Sequence, residues 1–177
     1  MIAPQGWYVI YTKPKHEKKV NDRLTEVGIH SFLPMTNTIR IWSDRKKQIQ
    51  VPLFPSYVFV YLEDLKNYYH SLKIAGVLNY VRMGNQIARV SESVVHNVQL
   101  AISHARSIES FDHFIQPARI VSILHGPLTG LCCEIIQVHG NQKVLVRVHL
   151  LKRALLLTLP PEYLIPGNSQ EIPAQEF

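Results

Sequence analysis

The sequence predicts an α+β protein with two domains. In residues 1–107, short runs rich in aromatic and β-branched residues alternate with segments of helical periodicity, a pattern typical of helices packed on a sheet. Periodicity is lost over residues 108–116, which we interpret as a linker. Residues 117–166 hold short strand-like runs separated by glycine-containing turns, as in a small β-barrel. Residues 167–177 are expected to be a disordered tail.

Composition indicates a globular protein with a basic surface. The 177 residues are 46% hydrophobic, and 19 Lys and Arg against 13 acidic residues give a formal net charge of +6. Such a charge favours polyanionic partners such as nucleic acid or an anionic membrane surface. The two cysteines, Cys132 and Cys133, are adjacent, which fits neither a disulfide framework nor a Cys-x-x-Cys zinc site. Without a secretory signal or a membrane-spanning apolar run, we expect a cytoplasmic protein.

The first elements of the N-terminal domain follow from local patterns. Residues 7–12 are aromatic and β-branched, which predicts a strand. Apolar residues recur at helical spacing over residues 15–27, and Gly28 can adopt the left-handed conformation that ends a helix. Residues 30–34 predict a short second strand, and residues 38–54 predict a hairpin.

The stretch VPLFPSYVFVYL, residues 51–62, predicts a strand without a polar face. Side chains alternate along a strand, so one face is expected to be aliphatic and the other aromatic. The aliphatic face is expected to hold Phe54, Val58, Val60 and Leu62. The aromatic face is expected to hold Tyr57, Phe59 and Tyr61. It can stack on bases, lie under a second layer of helices, or form a groove for a partner helix.

Two further helices complete the domain. Asp64 is expected to cap a helix that ends near residue 73 and buries one of the adjacent Tyr68 and Tyr69. The exposed tyrosine of the pair can stack on a base. A strand is expected at residues 77–82, and a helix with a broad apolar stripe is expected at residues 92–106, with Ser91 as its cap.

Basic residues cluster on two elements that flank the aromatic strand. The start of the first helix carries Lys13, Lys15, Lys18 and Lys19, and the hairpin carries Arg40, Arg45, Lys46 and Lys47. Two protruding basic elements can contact phosphates together, or they can form a merely solvated surface. We propose nucleic-acid contacts for Lys13, Lys15, Arg40, Arg45, Lys46 and Lys47.

Catalytic motifs do not emerge from the sequence. It has no glycine-rich phosphate loop, no nucleophile elbow and no close pair of carboxylates. The C-terminal histidines and cysteines would fall on separate turns of a barrel, which disfavours a metal site. We therefore expect neither an enzyme nor a bound cofactor or metal.

Four motifs resemble the NusG family of transcription elongation factors. They are WYVIYTKPKHEKKV, PLFPSYVFVYL, GVLNYVRMGNQIARVSESVV and the turn GPLTGL, in the family's order over about residues 5–165. The LFPxYxFV form and the VRMG step are most similar to the specialised paralogue RfaH and to antiterminators of polysaccharide gene clusters. The resemblance implies a NusG-type α/β sandwich domain, a linker and a KOW domain with an SH3-like barrel, which we expect to be its resting form.

The resemblance also implies a function in bacterial transcription. In the family, the N-terminal domain docks an aromatic groove onto the clamp helices of RNA polymerase, and this contact promotes processive elongation or antitermination. Trp7, Tyr8, Phe54, Pro55, Tyr57 and Phe59 match the docking pattern, with Trp7 in a supporting position. A monomer is expected. An RNA-binding or ribosome-binding module of translation remains the alternative, and the partner of the aromatic face distinguishes the two.

Further contacts are implied by position. RfaH-like proteins contact the non-template DNA strand at positions that correspond here to Lys13 and to Lys66, Tyr68, Tyr69 and His70. Gly126, Pro127 and Gly130 match the KOW turn, where glycine permits positive φ. Leu150, Leu151 and Arg153 fall in the loop that contacts a ribosomal protein or a termination factor in the family.

Overall fold

The computed structural model of the chain consists of two compact units, Met1–Val95 and His96–Phe177. It describes residues 5–41, 46–104, 107–111, 120–123, 132–138, 141–148, 153–158 and 169–171. This division falls between Val95 and His96, and the domain bounds predicted from the sequence remain a prediction.

The first unit is built on a mixed helix and sheet framework. Its elements are β1 (Gly6–Thr12), α1 (Glu17–Glu26), β2 (Ser31–Phe32), β3 (Met35–Ile41), β4 (Lys46–Pro52), β5 (Tyr57–Leu62), α2 (Leu65–Leu72), β6 (Val77–Tyr80), β7 (Arg82–Met83), β8 (Gln86–Ile87), β9 (Arg89–Val90) and the start of α3 (Glu92–His104). The main sheet has the strand order β2-β5-β1-β6, and β9 also pairs with β1. The β3–β4 and β7–β8 hairpins form separate two-stranded sheets.

Helices α1 and α2 pack on one face of the main sheet. This face supplies Tyr8, Ile10, Val58, Val60, Leu62 and Tyr80 to a buried cluster, to which α1 adds Val20 and Leu24. The apolar spacing predicted for α1 accounts for the contact, because residues four apart lie on one side of a helix. The aliphatic face predicted for β5 is confirmed for Val58, Val60 and Leu62.

The helix boundaries follow local signals. Helix α1 begins at Glu17, two residues later than predicted, since Lys15 has a left-handed backbone with φ 64°. The left-handed Gly28 (φ 77°) follows it as predicted. Asp64 caps α2, and its carboxylate accepts a hydrogen bond from the Asn67 N–H at 2.7 Å. These caps supply partners for backbone groups that a helix end leaves free.

The two adjacent tyrosines of α2 have different environments. The ring of Tyr68 stacks on Tyr80 with the ring centroids 4.9 Å apart, and it packs against the core cluster. Tyr69 is 55% exposed. The sequence predicted that one of the pair is buried; of the two, Tyr68 is the one that packs inward, and it is partly buried.

The stretch predicted as one strand over residues 51–62 is divided by a turn. Strand β4 ends at Pro52 and β5 begins at Tyr57, and Ser56 between them has φ 67°. Because the turn interrupts the alternation, Phe54 does not join the aliphatic face as predicted. Its ring instead contacts Phe59 from the opposite face, with centroids 6.0 Å apart.

The second unit contains an antiparallel sheet of six described strands. They are β10 (Ser107–Phe111), β11 (Ile120–Ile123), β12 (Cys132–Val138), β13 (Asn141–Val148), β14 (Arg153–Thr158) and β15 (Ser169–Glu171), in the order β10-β14-β13-β12-β11-β15. Strand β10 overlaps the predicted linker (residues 108–116), and β15 lies within the predicted disordered tail. Backbone pairing explains both differences, since β10 pairs with β14 and β15 pairs with β11. The closed SH3-like barrel remains a prediction.

The buried phenol of Tyr80 should make stability depend on alkaline pH. Burial raises the pKa of Tyr80 well above its usual value, although its hydroxyl contacts the Ser71 hydroxyl at 2.5 Å. A raised folded-state pKa gives stability that is complete below about pH 10 and is lost as pH rises further. We expect the free energy of unfolding, measured by urea denaturation, to fall above about pH 10, and to fall less steeply in Tyr80→Phe. The exposed Tyr69→Phe is the control, and identical pH slopes in all three proteins would contradict this assignment.

Candidate functional site

The pairing of β1 with β5 determines which side chains share the aromatic face. In this antiparallel pair Trp7 lies opposite Tyr61, Val9 opposite Phe59, and Tyr11 opposite Tyr57. Directly opposite residues point to the same side of a sheet. The face away from α1 and α2 therefore carries two aromatic pairs, Trp7 with Tyr61 and Tyr11 with Tyr57, on either side of Val9 and Phe59.

The centre of the aromatic face is buried. Phe59 and Phe54 have no exposed surface, and the ring of Phe59 also contacts Phe32 with centroids 5.9 Å apart. Phe54 and Phe59 therefore support the surface from below and do not form it. Pro55, at the turn that precedes β5, is exposed.

The accessible aromatic residues lie at the two ends of the face. At one end Tyr61 is partly exposed, whereas Trp7 is buried, and its ring contacts those of His30 and Tyr61 with centroids 5.0 and 5.5 Å away. At the other end the rings of Tyr11 and Tyr57 lie 5.4 Å apart, inclined by 49°. Tyr11 is 37% exposed and Tyr57 is partly exposed.

Two predicted docking residues, Tyr8 and Trp7, lie on opposite faces of the main sheet. Tyr8 belongs to the face covered by the helices, where it is 1% exposed and its ring contacts Tyr80. Trp7, predicted as a supporting residue, shares the face of Tyr57. Sequence reasoning missed Tyr11. Every second residue of a strand points to the same face, so the spacing of Trp7, Val9 and Tyr11 along β1 could have identified it.

A shallow depression lies beside the Tyr11–Tyr57 pair. Its volume is about 320 Å³, and it is lined by Tyr11, Tyr57, Asn79, Tyr80, Val81 and Arg82. Strands β1, β5 and β6 supply four of these residues, so most of its wall is hydrogen-bonded sheet. We name Tyr11, Tyr57, Asn79 and Arg82 the tyrosine surface.

A buried carboxylate fixes the turn that leads into Tyr57. Glu17 is 5% exposed, and its Oε1 accepts hydrogen bonds from the backbone N–H groups of Ser56 at 2.7 Å and Lys15 at 3.3 Å. Both donors belong to left-handed residues. The backbone N–H of Thr12 also donates to the Ser56 carbonyl at 2.8 Å. The end of β1, the start of α1 and the entrance to β5 are thereby joined.

The predicted nucleic-acid residues are distributed over three elements. Lys13, Lys15, Lys47, Lys66 and His70 are exposed. The side chains of Arg40, Arg45 and Lys46 lie outside the described residues. The exposed residues of α2 and its C-cap recur at helical spacing, and they are Lys66, Tyr69, His70 and the C-cap residue Lys73. We name these four residues the α2 strip.

Most residues of the predicted C-terminal site lie outside the described part of the chain. Gly126, Pro127, Gly130, Leu150 and Leu151 lie outside the described residues, and Arg153 begins β14. Among the described residues, no group of three or more His, Cys, Asp or Glu side chains is arranged to hold a metal ion. Within the same residues, no helix is long and apolar enough to cross a membrane.

An aromatic surface on a rigid sheet and a basic strip with an exposed tyrosine are typical of a domain that binds macromolecules. A family model described as "Transcription termination factor nusG" matches residues 5–99. This match spans more than half of the chain, so the chain belongs to the NusG family of transcription factors.

Two solved structures are similar to the chain at low identity. One, "Domain interaction in Thermotoga maritima NusG", is 19% identical with a TM-score of 0.49, and the alignment covers 88% of this chain and 93% of that one. The other, "Crystal Structure of MjSpt4:Spt5 complex conformation A", is 15% identical with a TM-score of 0.31, and the alignment covers 94% of this chain and 97% of that one. The family assignment depends on the family model alone.

Glu17 should contribute more to stability than an exposed acid of the same helix. Glu17→Ala leaves two backbone N–H groups without their acceptor, and we expect a loss of about 1–3 kcal/mol in the free energy of unfolding. Glu26→Ala, at the exposed end of α1, should change it by less than about 0.5 kcal/mol. Chemical denaturation of both variants tests this, and equal losses would exclude a special role for the Glu17 carboxylate.

Proposed function

We propose that the protein is an elongation and antitermination factor that binds the clamp helices of RNA polymerase through its tyrosine surface. The observation that carries this proposal is the Tyr11–Tyr57 pair, in which Tyr11 is exposed and Tyr57 partly exposed, beside a depression on the sheet face away from α1 and α2 in a chain of the NusG family. Clustered aromatic anchors on a rigid scaffold are typical of protein interfaces. A depression beside them suits side chains of one face of a partner helix.

The proposed mechanism is conformational and not chemical. A factor that binds the closed clamp more tightly than the open one shifts polymerase toward the closed state by the difference in binding free energy. Pausing and termination that need clamp opening then become rarer. The joined turns around Glu17 support this role, because a preorganised surface loses little conformational entropy on binding.

The α2 strip is proposed to contact the non-template DNA strand. Tyr69 offers an exposed ring for stacking, and Lys66, His70 and Lys73 lie on the same side of the helix for contacts with phosphates. Tyr68 is left out of the proposed strip, because its ring stacks on Tyr80 and packs against the core cluster. Lys13, Lys15 and Lys47 are exposed and are proposed as further phosphate contacts.

The finer assignments are also proposals. The LFPxYxFV form supports a specialised, RfaH-like member that serves particular operons as a bacterial monomer. For the second unit we propose a KOW domain whose loop, with Leu150, Leu151 and Arg153, contacts a ribosomal protein or a termination factor. We propose no catalytic activity.

Removing either tyrosine of the exposed pair should weaken polymerase binding. We expect Tyr11→Ser and Tyr57→Ser to raise the Kd of the full chain for an isolated clamp-helix hairpin by about tenfold or more, because aromatic anchors dominate such interfaces. Isothermal titration calorimetry measures the Kd. Val27→Ser, which removes an exposed apolar side chain at the end of α1, should bind as the wild type does.

Phe59 requires a separate interpretation in this experiment. Phe59→Ala removes a buried ring and should cost about 3–5 kcal/mol of stability, so its loss of binding would reflect unfolding. Tight binding by both serine variants would refute the proposed docking surface. Absence of binding by the wild type, together with binding of single-stranded RNA at Tyr57, would favour the RNA-module alternative.

Tyr69 should contribute to DNA binding through its ring. We expect Tyr69→Ala to weaken binding to a single-stranded DNA oligonucleotide by roughly fivefold to a hundredfold, since stacking contributes about 1–3 kcal/mol per base. Tyr69→Phe keeps the ring and should retain most of the affinity. Fluorescence anisotropy at fixed salt measures both, and equal effects of alanine and phenylalanine would rule out stacking.

A further inference from the structure

Arg82 gives the tyrosine surface an oriented positive charge. It is exposed in the β7–β8 hairpin, where its Nη2 donates a hydrogen bond to the Asn85 carbonyl at 2.6 Å. Gly84, with φ 59°, forms the turn that brings this carbonyl within reach. One side of the guanidinium is therefore held by its own hairpin, and the planar group keeps further N–H donors for another acceptor.

The charge of Arg82 is not neutralised within the described part of the chain. No carboxylate of the described side chains forms an ion pair with it. Among the six described residues that line the depression, Arg82 alone is charged, and exposed Asn79 is its uncharged polar neighbour. The depression therefore joins two aromatic rings to a single cation.

We propose that Arg82 determines specificity by pairing with an acidic residue of the partner helix. An apolar side chain of that helix occupies the depression beside Tyr11 and Tyr57, and a carboxylate about one turn away meets the guanidinium. Helical residues three or four apart lie on one face, so one helix can present both groups. This inference rests on the proposed function and specifies the chemistry of the clamp-helix segment that the surface selects.

A protein carboxylate fits this surface better than a nucleic-acid phosphate. Binding to a nucleic-acid backbone depends on several cations that neutralise successive phosphates. The depression offers one cation, whereas the α2 strip offers Lys66, His70 and Lys73 beside exposed Tyr69. Helix α2 packs on the opposite face of the main sheet from Tyr11 and Tyr57. The single cation among the described lining residues therefore suits a carboxylate of a partner helix, and the α2 strip on the opposite face suits successive phosphates.

The first experiment compares Arg82→Gln with the wild type in calorimetric titrations of the full chain with an isolated clamp-helix hairpin at two salt concentrations. We expect Arg82→Gln to bind the hairpin with a Kd roughly three- to tenfold higher than that of the wild type. The Kd of the variant should also depend less on salt concentration, because one charged hydrogen-bonded pair is lost. Arg89→Gln is the matched control, because Arg89 is exposed and pairs opposite Tyr8 on β1. Thermal unfolding verifies that each variant is folded.

The second experiment identifies the acidic partner by charge exchange. Each Asp and Glu of the hairpin is replaced singly by Lys, and each variant is titrated with the wild type and with Arg82→Glu. One lysine variant should bind Arg82→Glu more tightly than it binds the wild type. The inference is wrong if no lysine variant of the hairpin binds Arg82→Glu more tightly than it binds the wild type. It is also wrong if Arg82→Gln binds the unmodified hairpin as tightly as the wild type does.

The possible failures are distinguishable. If Tyr57→Ser weakens hairpin binding and Arg82→Gln does not, the proposed function stands and the role of Arg82 is refuted. If the wild type does not bind the hairpin, both proposals fall. If Arg82→Gln weakens binding only to single-stranded DNA, the guanidinium recognises phosphate, and this also overturns the inference.

Discussion

The pairing of β1 with strands on both sides is the constraint on which the rest of the first unit depends. Strand β1 bonds to β5 along its length and to β6 and β9 on its other side. A shift of one residue in this pairing would move every side chain of β1 to the opposite face. Tyr8 and Ile10 would leave the helix-covered core, and Trp7 and Tyr11 would enter it. The existence of an accessible tyrosine surface therefore follows from the same hydrogen bonds that build the core.

The buried carboxylate of Glu17 fixes the backbone at the edge of the tyrosine surface. Two left-handed residues, Lys15 and Ser56, would each cost about 1–2 kcal/mol in an isolated chain. Their N–H groups both donate to Glu17, so the carboxylate offsets the cost and the charge has partners despite burial. The strained backbone of Ser56, just before β5, is thus stabilised by a buried hydrogen bond. The side chain of Tyr57 takes no part in this hydrogen bond.

The sequence predicts the secondary-structure elements well, but it predicts less well which face of the sheet each side chain occupies. Local patterns identified β1, α1 and α2, because alternation, helical spacing and the Asp64 cap act over a few residues. The error at Phe54 has a cause outside local patterns, since the left-handed turn at Ser56 is held by tertiary hydrogen bonds with Glu17 and Thr12. The placement of Tyr8 needed the pairing of β1 with β5, which involves residues about fifty positions apart. Strands β10 and β15 were missed for the same reason, because their partners β14 and β11 are distant in sequence.

The separation of the two surfaces explains how one small domain could serve two macromolecules at once. The tyrosine surface and the α2 strip lie on opposite sides of one sheet, so a helix bound to the first does not compete sterically with a strand of DNA bound to the second. Binding of the two would be coupled only through the sheet or through the geometry of the polymerase that holds both partners. Since β1 and β5 are paired along their whole length, the domain itself would transmit little strain between the faces. Cooperation would then arise from effective concentration, because a domain held on the clamp would keep the α2 strip near the displaced strand, if the proposed function holds.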